Sequence, residues 1–297
     1  MVQFPAPVPE DERREPLHVV DDADHVVIRG RRIDLARLVN PRLFESAYRS
    51  ELKAELLAAT PFKHLVVDGW FDPVLLELVR EEFDSFGHER WRVIQDEHQL
   101  FHRSTTHESF GPASQIYFAL INAGWFVSLL GELTDHDDLI GDPLLAGGGL
   151  HETRTGGKFA VHRDFDKHAL YGLENKMVFI TYLNRDWNPD WGASLQLWGT
   201  EPRECVREIV PELGRSVLLL NGPESFHGHP EPMQCPPGQT RRSVASYYYR
   251  NPRAVQERLT RQTSVFLMAY RTRRLRRLVT QWTPPIVLDA IKKILGR

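Results

Sequence analysis

A mainly β fold with flanking helices is what this sequence predicts, on three observations. Six short runs rich in Val, Ile, Leu, Tyr and Trp lie in one block between residues 150 and 249, separated by Gly, Pro, Asn and Asp, which is the pattern of strands and turns. Many short strands in one block favour a sandwich or closed barrel over a parallel sheet with alternating helices. On both sides of the block the apolar residues recur at helical spacing instead.

The elements follow in order. Met1 to Pro16 is polar and proline-containing where a secretory signal would carry an apolar run, so secretion is not expected. Leu43, Tyr48, Leu52, Leu56 and Leu57 place an amphipathic helix over residues 44–58. Asp72-Pro73 opens a second helix over 74–86, with an acidic cap and proline at the first helical position. Residues 115–133 are apolar enough to form one long, largely buried helix. The predicted strands are 150–153, 158–161, 177–183, 194–198, 216–220 and 243–249, with Gly156-Gly157 as a tight turn between the first two. Helical spacing returns over 255–279 and 284–295. The expected organisation is therefore a polar lead and helix at 1–58, a β domain at 59–250 and a basic helical extension at 251–297.

With 297 residues, 41% hydrophobic and 26% charged, the chain is neither disordered nor collagen-like. Cys205 and Cys235 are too few for a disulfide framework or a thiolate zinc site, which fits a reducing compartment; the cytoplasm is the expected location. The net charge of −3 divides into about +10 on residues 250–297 and about −13 on the rest. The terminal helix carries Ile286, Val287, Ala290, Ile291, Ile294 and Leu295 largely on one side, behind the basic run Arg271 to Arg277. Such a stripe docks on the barrel or a second subunit, or lies peripherally on an anionic membrane. Nucleic acid is not an expected partner, since no aromatic residues interleave with the basic run.

The chemistry is carried by histidines and carboxylates. Two histidines and one carboxylate facing one ion make the metal site of non-haem iron oxygenases, and its simplest trace is His-x-Asp on a strand with a distant His on another. Residues i and i+2 of a strand point to one side, so His162 and Asp164 could chelate a single ion. Chance alone supplies about 0.8 such tripeptides in this composition, and a second one, His136-Asp137-Asp138, is present. Context separates them: His136 lies in an acidic cluster after a helix, whereas His162 ends an alternating run behind a glycine turn. For the third ligand, Ser225-Phe226-His227-Gly228-His229-Pro230 offers two candidates, His227 and His229. Further on, Arg241-Arg242-Ser243 opens an aromatic strand. A buried arginine there would suit a dicarboxylate, because its planar fork pairs with a carboxylate through two parallel bonds.

Taken in order, Gly156-Gly157-Lys158, His162-Arg163-Asp164, Tyr182-Leu183-Asn184, Asp190-Trp191-Gly192-Ala193-Ser194-Leu195, Phe226-His227-Gly228-His229-Pro230 and Arg241-Arg242-Ser243 with Tyr247-Tyr248-Tyr249 resemble the prolyl-4-hydroxylase-like type of 2-oxoglutarate- and Fe(II)-dependent oxygenase. The resemblance spans about residues 60–250. It implies a double-stranded β-helix, the jelly-roll or cupin-like fold. It also implies His162, Asp164 and His227 as iron ligands, Arg241 as the anchor of the far carboxylate of 2-oxoglutarate, and Ser243 as its assistant. The tyrosine that many members carry on the strand before His-x-Asp is replaced here by the stretch Leu150-His151-Glu152-Thr153-Arg154. The implied cofactors are Fe(II), 2-oxoglutarate as cosubstrate and O2. The implied activity is hydroxylation, or a related oxidation, of an unactivated C–H bond in a small or carrier-borne metabolite, with release of succinate and CO2. The alternative is a catalytically silent jelly roll that binds a ligand or partner.

Overall fold

The structure is a computed structural model that describes residues 24–85, 91–104, 110–201 and 203–252. The polar lead up to residue 23 and the helices expected at 255–279 and 284–295 lie outside the described residues.

The described chain opens with a hairpin, β1 (His25–Ile28) and β2 (Arg31–Asp34), turned through Arg29 and Gly30, both at positive φ. Positive φ at two central residues gives the turn the twist that antiparallel strands need. Helix α1 (Ser46–Ala58) follows, then β3 (His64–Val67) and α2 (Pro73–Glu82). The Asp72 side chain accepts a bond from the Leu75 N–H at 2.9 Å, with Pro73 in the first turn, as the sequence predicts. Next come β4 (Arg92–Gln95) and β5 (Gln99–Ser104).

The long helix expected over 115–133 is in fact two, α3 (Pro112–Asn122) and α4 (Gly124–Thr134), bent by 47°. Ala123 between them is extended, with φ −67° and ψ 147°, and its N–H closes the end of α3 on the Leu120 carbonyl. Continuous apolarity cannot register such a break, because both halves bury apolar faces against the same core. The start of α3 is capped from a distance: the buried Glu82 carboxylate accepts bonds from Ala113 N, Ser114 N and the Ser114 hydroxyl at 2.8, 2.9 and 2.6 Å. Gly111 makes room for it, since a Cβ there would sit 2.2 Å from the Glu82 carboxyl carbon.

The rest is β: β6 (Leu139–Gly141), β7 (Gly149–Thr153), β8 (Lys158–His162), β9 (Glu174–Tyr182), β10 (Leu195–Trp198), β11 (Cys205–Ile209), β12 (Ser216–Leu220), β13 (His227–His229) and β14 (Arg241–Arg250). Among the described residues they join β3 to β5 in one antiparallel sheet of order β11-β10-β13-β8-β5-β7-β14-β9-β12-β3, with β4 on β5 and β6 on β14. The sheet curls on itself as a double-stranded β-helix, the jelly roll. Strand β5 joins its two halves, pairing with β7 through His102 to Ser104 and with β8 through Gln99 and Leu100. The Gly156-Gly157 turn therefore links two strands that do not pair with each other. Gly157 is needed because β5 passes close: a Cβ would lie 2.7 Å from the Leu100 carbonyl oxygen.

Alternation along the strands separates two cores. On β12, Leu218 faces the helices while Val217 and Leu219 face the barrel interior; on β9, Met177 and Phe179 face out and Val178 and Tyr182 face in. The three tyrosines of β14 divide likewise, Tyr247 and Tyr249 inward and Tyr248 outward. The outer core packs the sheet against α1 to α4 around Trp70, Phe126 and Phe179. Buried hydroxyls tie those layers together, Tyr117 donating to Thr181 at 2.7 Å and Tyr248 to the Ile121 carbonyl at 2.7 Å. Both cysteines are free.

Candidate active site

The register of β8 and β13 creates the site. His162 and His227 are directly paired across these strands, which puts both imidazoles on one face with ring centroids 4.7 Å apart. Asp164 follows two residues beyond His162 and presents its carboxylate to the same spot. One oxygen lies 3.6 Å from His162 Nε2 and the other 3.7 Å from His227 Nε2. The ligand-capable atoms of the three all fall within 4.8 Å of one another. Gly228 allows β13 to approach β8 this closely, since a Cβ would stand 2.8 Å from the Phe159 and Ala160 carbonyl oxygens. A register shift between His227 and His229 places Phe159 opposite His229, and the Phe159 ring stacks on His162 at 3.9 Å.

Hydrogen bonds set the histidines up as ligands. His162 Nδ1 sits 2.8 Å from the Ala160 carbonyl oxygen and His227 Nδ1 2.9 Å from that of Ser225. A carbonyl only accepts, so each Nδ1 carries a proton and each Nε2 is turned toward Asp164. Burial holds His227 below its ordinary titration range, against the attraction of Asp164. Burial also works to raise the Asp164 carboxyl, but His227, His162 and the Tyr247 hydroxyl, which donates to Asp164 at 3.1 Å, outweigh it and leave it below the usual range. Two imidazoles and a carboxylate at this spacing suit a divalent first-row metal with open positions.

The group opens into a cavity of ≈ 70 Å³ whose walls include Val178, Ile180 and Leu195 on the apolar side and His151, Tyr182 and His229 on the polar side. Arg241 and Ser243 line it too. Arg241 is buried; its Nε donates to the Ala193 carbonyl at 2.9 Å, its Nη2 to the Tyr182 hydroxyl at 3.3 Å, and the guanidinium sits 4.9 Å from the centre of the Tyr182 ring. No carboxylate among the described residues pairs with it. A buried guanidinium without an anion is costly, and a dicarboxylate bound to the metal and reaching Arg241 would remove that cost. Arg242, one residue on, points the other way, forms ion pairs with Glu152 and Asp84 and donates to the Arg80 carbonyl. Two roomier clefts of ≈ 310 and ≈ 510 Å³ lie on that outer side, lined by Arg242 and Asp84 among others, without any of the three clustered ligands.

The geometry thus gathers His162, Asp164, His227, Arg241 and Ser243 around one cavity. His229 stands beside them with its Nδ1 buried and unbonded. His136, in the turn after α4, is not among them. Sequence reasoning missed Tyr182 as the partner of Arg241 and Tyr247 as the partner of Asp164. Parity with Arg241 along β14 was a usable signal for Tyr247, whereas Tyr182 reaches Arg241 from another strand.

Residues 148–249 match the family model of the 2OG-Fe(II) oxygenase superfamily. This segment, which holds β7 to β13 and most of β14, is similar to the 2OG-Fe(II) oxygenase superfamily. The superfamily uses Fe(II), 2-oxoglutarate and O2. No curated relative matches at the sequence level. Among solved structures, the chain is similar to a Pseudomonas putida prolyl-4-hydroxylase, with TM-score 0.50 and 15% identity over 68% of this chain and 99% of that one. It is also similar to a prolyl 4-hydroxylase from Phytophthora capsici, with TM-score 0.50 and 19% identity over 80% and 74%. A third is the non-haem alpha-ketoglutarate-dependent epimerase SnoN from nogalamycin biosynthesis, with TM-score 0.50 and 12% identity over 74% and 91%. At these identities the likeness is one of fold. Hydroxylases and an epimerase stand equally near in it, so the fold alone leaves the outcome of oxidation open.

Proposed function

We propose that this oxygenase oxidises an unactivated C–H bond of a small or carrier-borne substrate, in the first instance to an alcohol, with 2-oxoglutarate leaving as succinate and CO2. The observation that carries this reading is a cluster of His162, Asp164 and His227 sharing one cavity with a buried arginine that has no anion of its own among the described residues. Bound iron, with 2-oxoglutarate and O2, supplies the oxidising power.

The chain's own residues do the rest. His162, Asp164 and His227 would hold the ion, the Nδ1–H bonds of the two histidines to the Ala160 and Ser225 carbonyls fixing the tautomer that binds it. Tyr247 keeps its proton, because burial and the nearby Asp164 charge push its hydroxyl well above the ordinary range, and it uses that proton to orient Asp164. Arg241 and Ser243 receive the far carboxylate of 2-oxoglutarate, with Tyr182 steadying the guanidinium. Val178, Ile180, Leu195 and Phe159 keep water from the reacting centre.

The test is substrate-free conversion of 2-oxoglutarate to succinate under Fe(II) and O2. Slow turnover is expected from the native chain, and a loss of about 10²-fold or more from His162→Ala and Asp164→Ala. A folded native chain that neither binds Fe(II) nor forms succinate would overturn the reading in favour of a silent binding module.

A further inference from the structure

The row of paired residues beneath the cavity runs on past the side chains that hold iron and cosubstrate. Tyr182 on β9 pairs with Ser243 on β14, Ser243 with His151 on β7, His151 with Arg103 on β5, and Arg103 with Arg92 on β4. Directly paired residues share a face of the sheet, and Tyr182, Ser243 and His151 all line the cavity. Phe101, two residues before Arg103, marks the same face, its ring packing on His151 and Phe159 at 5.6 and 5.2 Å. With strands about 4.8 Å apart, the Arg103 backbone lies roughly 5 Å beyond His151 and roughly 10 Å from Ser243. Its charge acts on His151 and Tyr247, two residues that line the cavity, and Arg241 acts on His151 as well.

Arg103 is half-buried, yet its side chain has no hydrogen bond or ion pair to any described residue. Its cross-strand neighbour is a second arginine, Arg92, which is exposed and also has no ion pair among the described residues. Like charges directly opposite on a sheet repel, and burial of one of them adds a desolvation cost. Burial first and Arg92 second depress the ionisation of Arg103. Other half-buried arginines of the fold are paired, Arg49 with Glu132 and Arg250 with Asp138. A half-buried arginine repelled by its cross-strand neighbour, on the face of the sheet that carries the cavity, lacks an anion, and 2-oxoglutarate is already provided for by Arg241.

We propose that Arg103, assisted by Arg92, binds an anionic group of the primary substrate, a carboxylate or a phosphate. This rests on the oxygenase reading of the cavity and narrows its substrates to acids and phosphate esters, including phosphate-linked carriers, whose oxidised carbon lies inward of the anion.

The experiment is calorimetric titration of the native chain loaded with Mn(II) and 2-oxoglutarate, without O2, using benzoate and inorganic phosphate as probes and benzamide as the neutral control. One of the two anions is expected to bind where benzamide does not, benzoate marking a carboxylate site and phosphate a phosphate site. Arg103→Gln should weaken that binding at least tenfold, Arg103→Lys and Arg92→Gln severalfold, and Arg250→Gln, which breaks a paired arginine elsewhere, not at all. The proposal is overturned if neither anion binds, or if Arg103→Gln binds it as tightly as the native chain. Succinate formation by the native chain is read separately, and its absence counts against the oxygenase reading alone.

Discussion

The two faces of the curled sheet treat charge in opposite ways. On the helix-covered outer face, charged groups are matched from within the chain: Glu82 accepts three bonds at the start of α3, Glu77 pairs with Arg80 and Arg185, and Arg242 pairs with Glu152 and Asp84. On the inner face, Arg241 has no carboxylate, Arg103 has no ion-pair partner among the described residues, and Asp164 faces the Nε2 atoms of two imidazoles. The outer face matches its charges within the chain, while the inner face leaves two arginines without an anion among the described residues. Adjacent residues of one strand, Arg241 and Arg242, hold the whole contrast.

Substitution of those two arginines tests it most directly. Arg241→Ala should weaken 2-oxoglutarate binding to the Mn(II)-loaded chain by about 2–5 kcal/mol, the range for losing one partner of a buried charge pair, with little loss of thermal stability. Arg242→Ala should do the reverse, lowering the unfolding midpoint and leaving the cosubstrate affinity within about twofold. Equal effects of the two on binding would break the comparison.

A smaller effect concerns pH. Burial, before any other influence, pushes His151 on the inner face down to about 4. Its unfolded value is near 6.5, so between these values the unfolded chain binds more protons than the folded one. Stability should therefore fall as pH drops from about 7 towards 4, by up to about 3 kcal/mol from this residue, and urea titrations of His151→Asn should show a shallower fall. An unchanged slope would mean that His151 is not held neutral by the inner face.

The smallest effect lies on the outer face. Tyr117→Phe removes the hydroxyl that donates to Thr181, which should cost about 1 kcal/mol in urea unfolding and leave cosubstrate affinity unchanged. A change in affinity would show that the helix layer positions the cavity as well as covering it.

Much of this was readable beforehand where the signal is local. The predicted 216–220 strand is β12 to the residue, and those at 150–153, 158–161 and 194–198 fall within one residue of β7, β8 and β10, because short apolar runs between turn residues form strands whatever their partners. The i, i+2 parity of His162 and Asp164, and of Arg241 and Ser243, was equally accessible. Strands β4, β5, β11 and β13 were not: Arg92–Gln95, Gln99–Ser104 and Cys205–Ile209 carry only two or three apolar residues each and no clean alternation, and His227–His229 has neither length nor strand propensity. They are strands because neighbours supply their hydrogen bonds.

The sequence by itself determined the alternating runs, the caps and turns, and the side chains able to bind metal and carboxylate, since these depend on residues a few positions apart. Only the tertiary structure decided that His227 rather than His229 meets Asp164, that Arg241 turns inward while Arg242 turns out, and that Arg103 comes to stand beside the cavity. Those outcomes follow from register between strands far apart in the chain, where a slip of one residue reverses the face of every side chain.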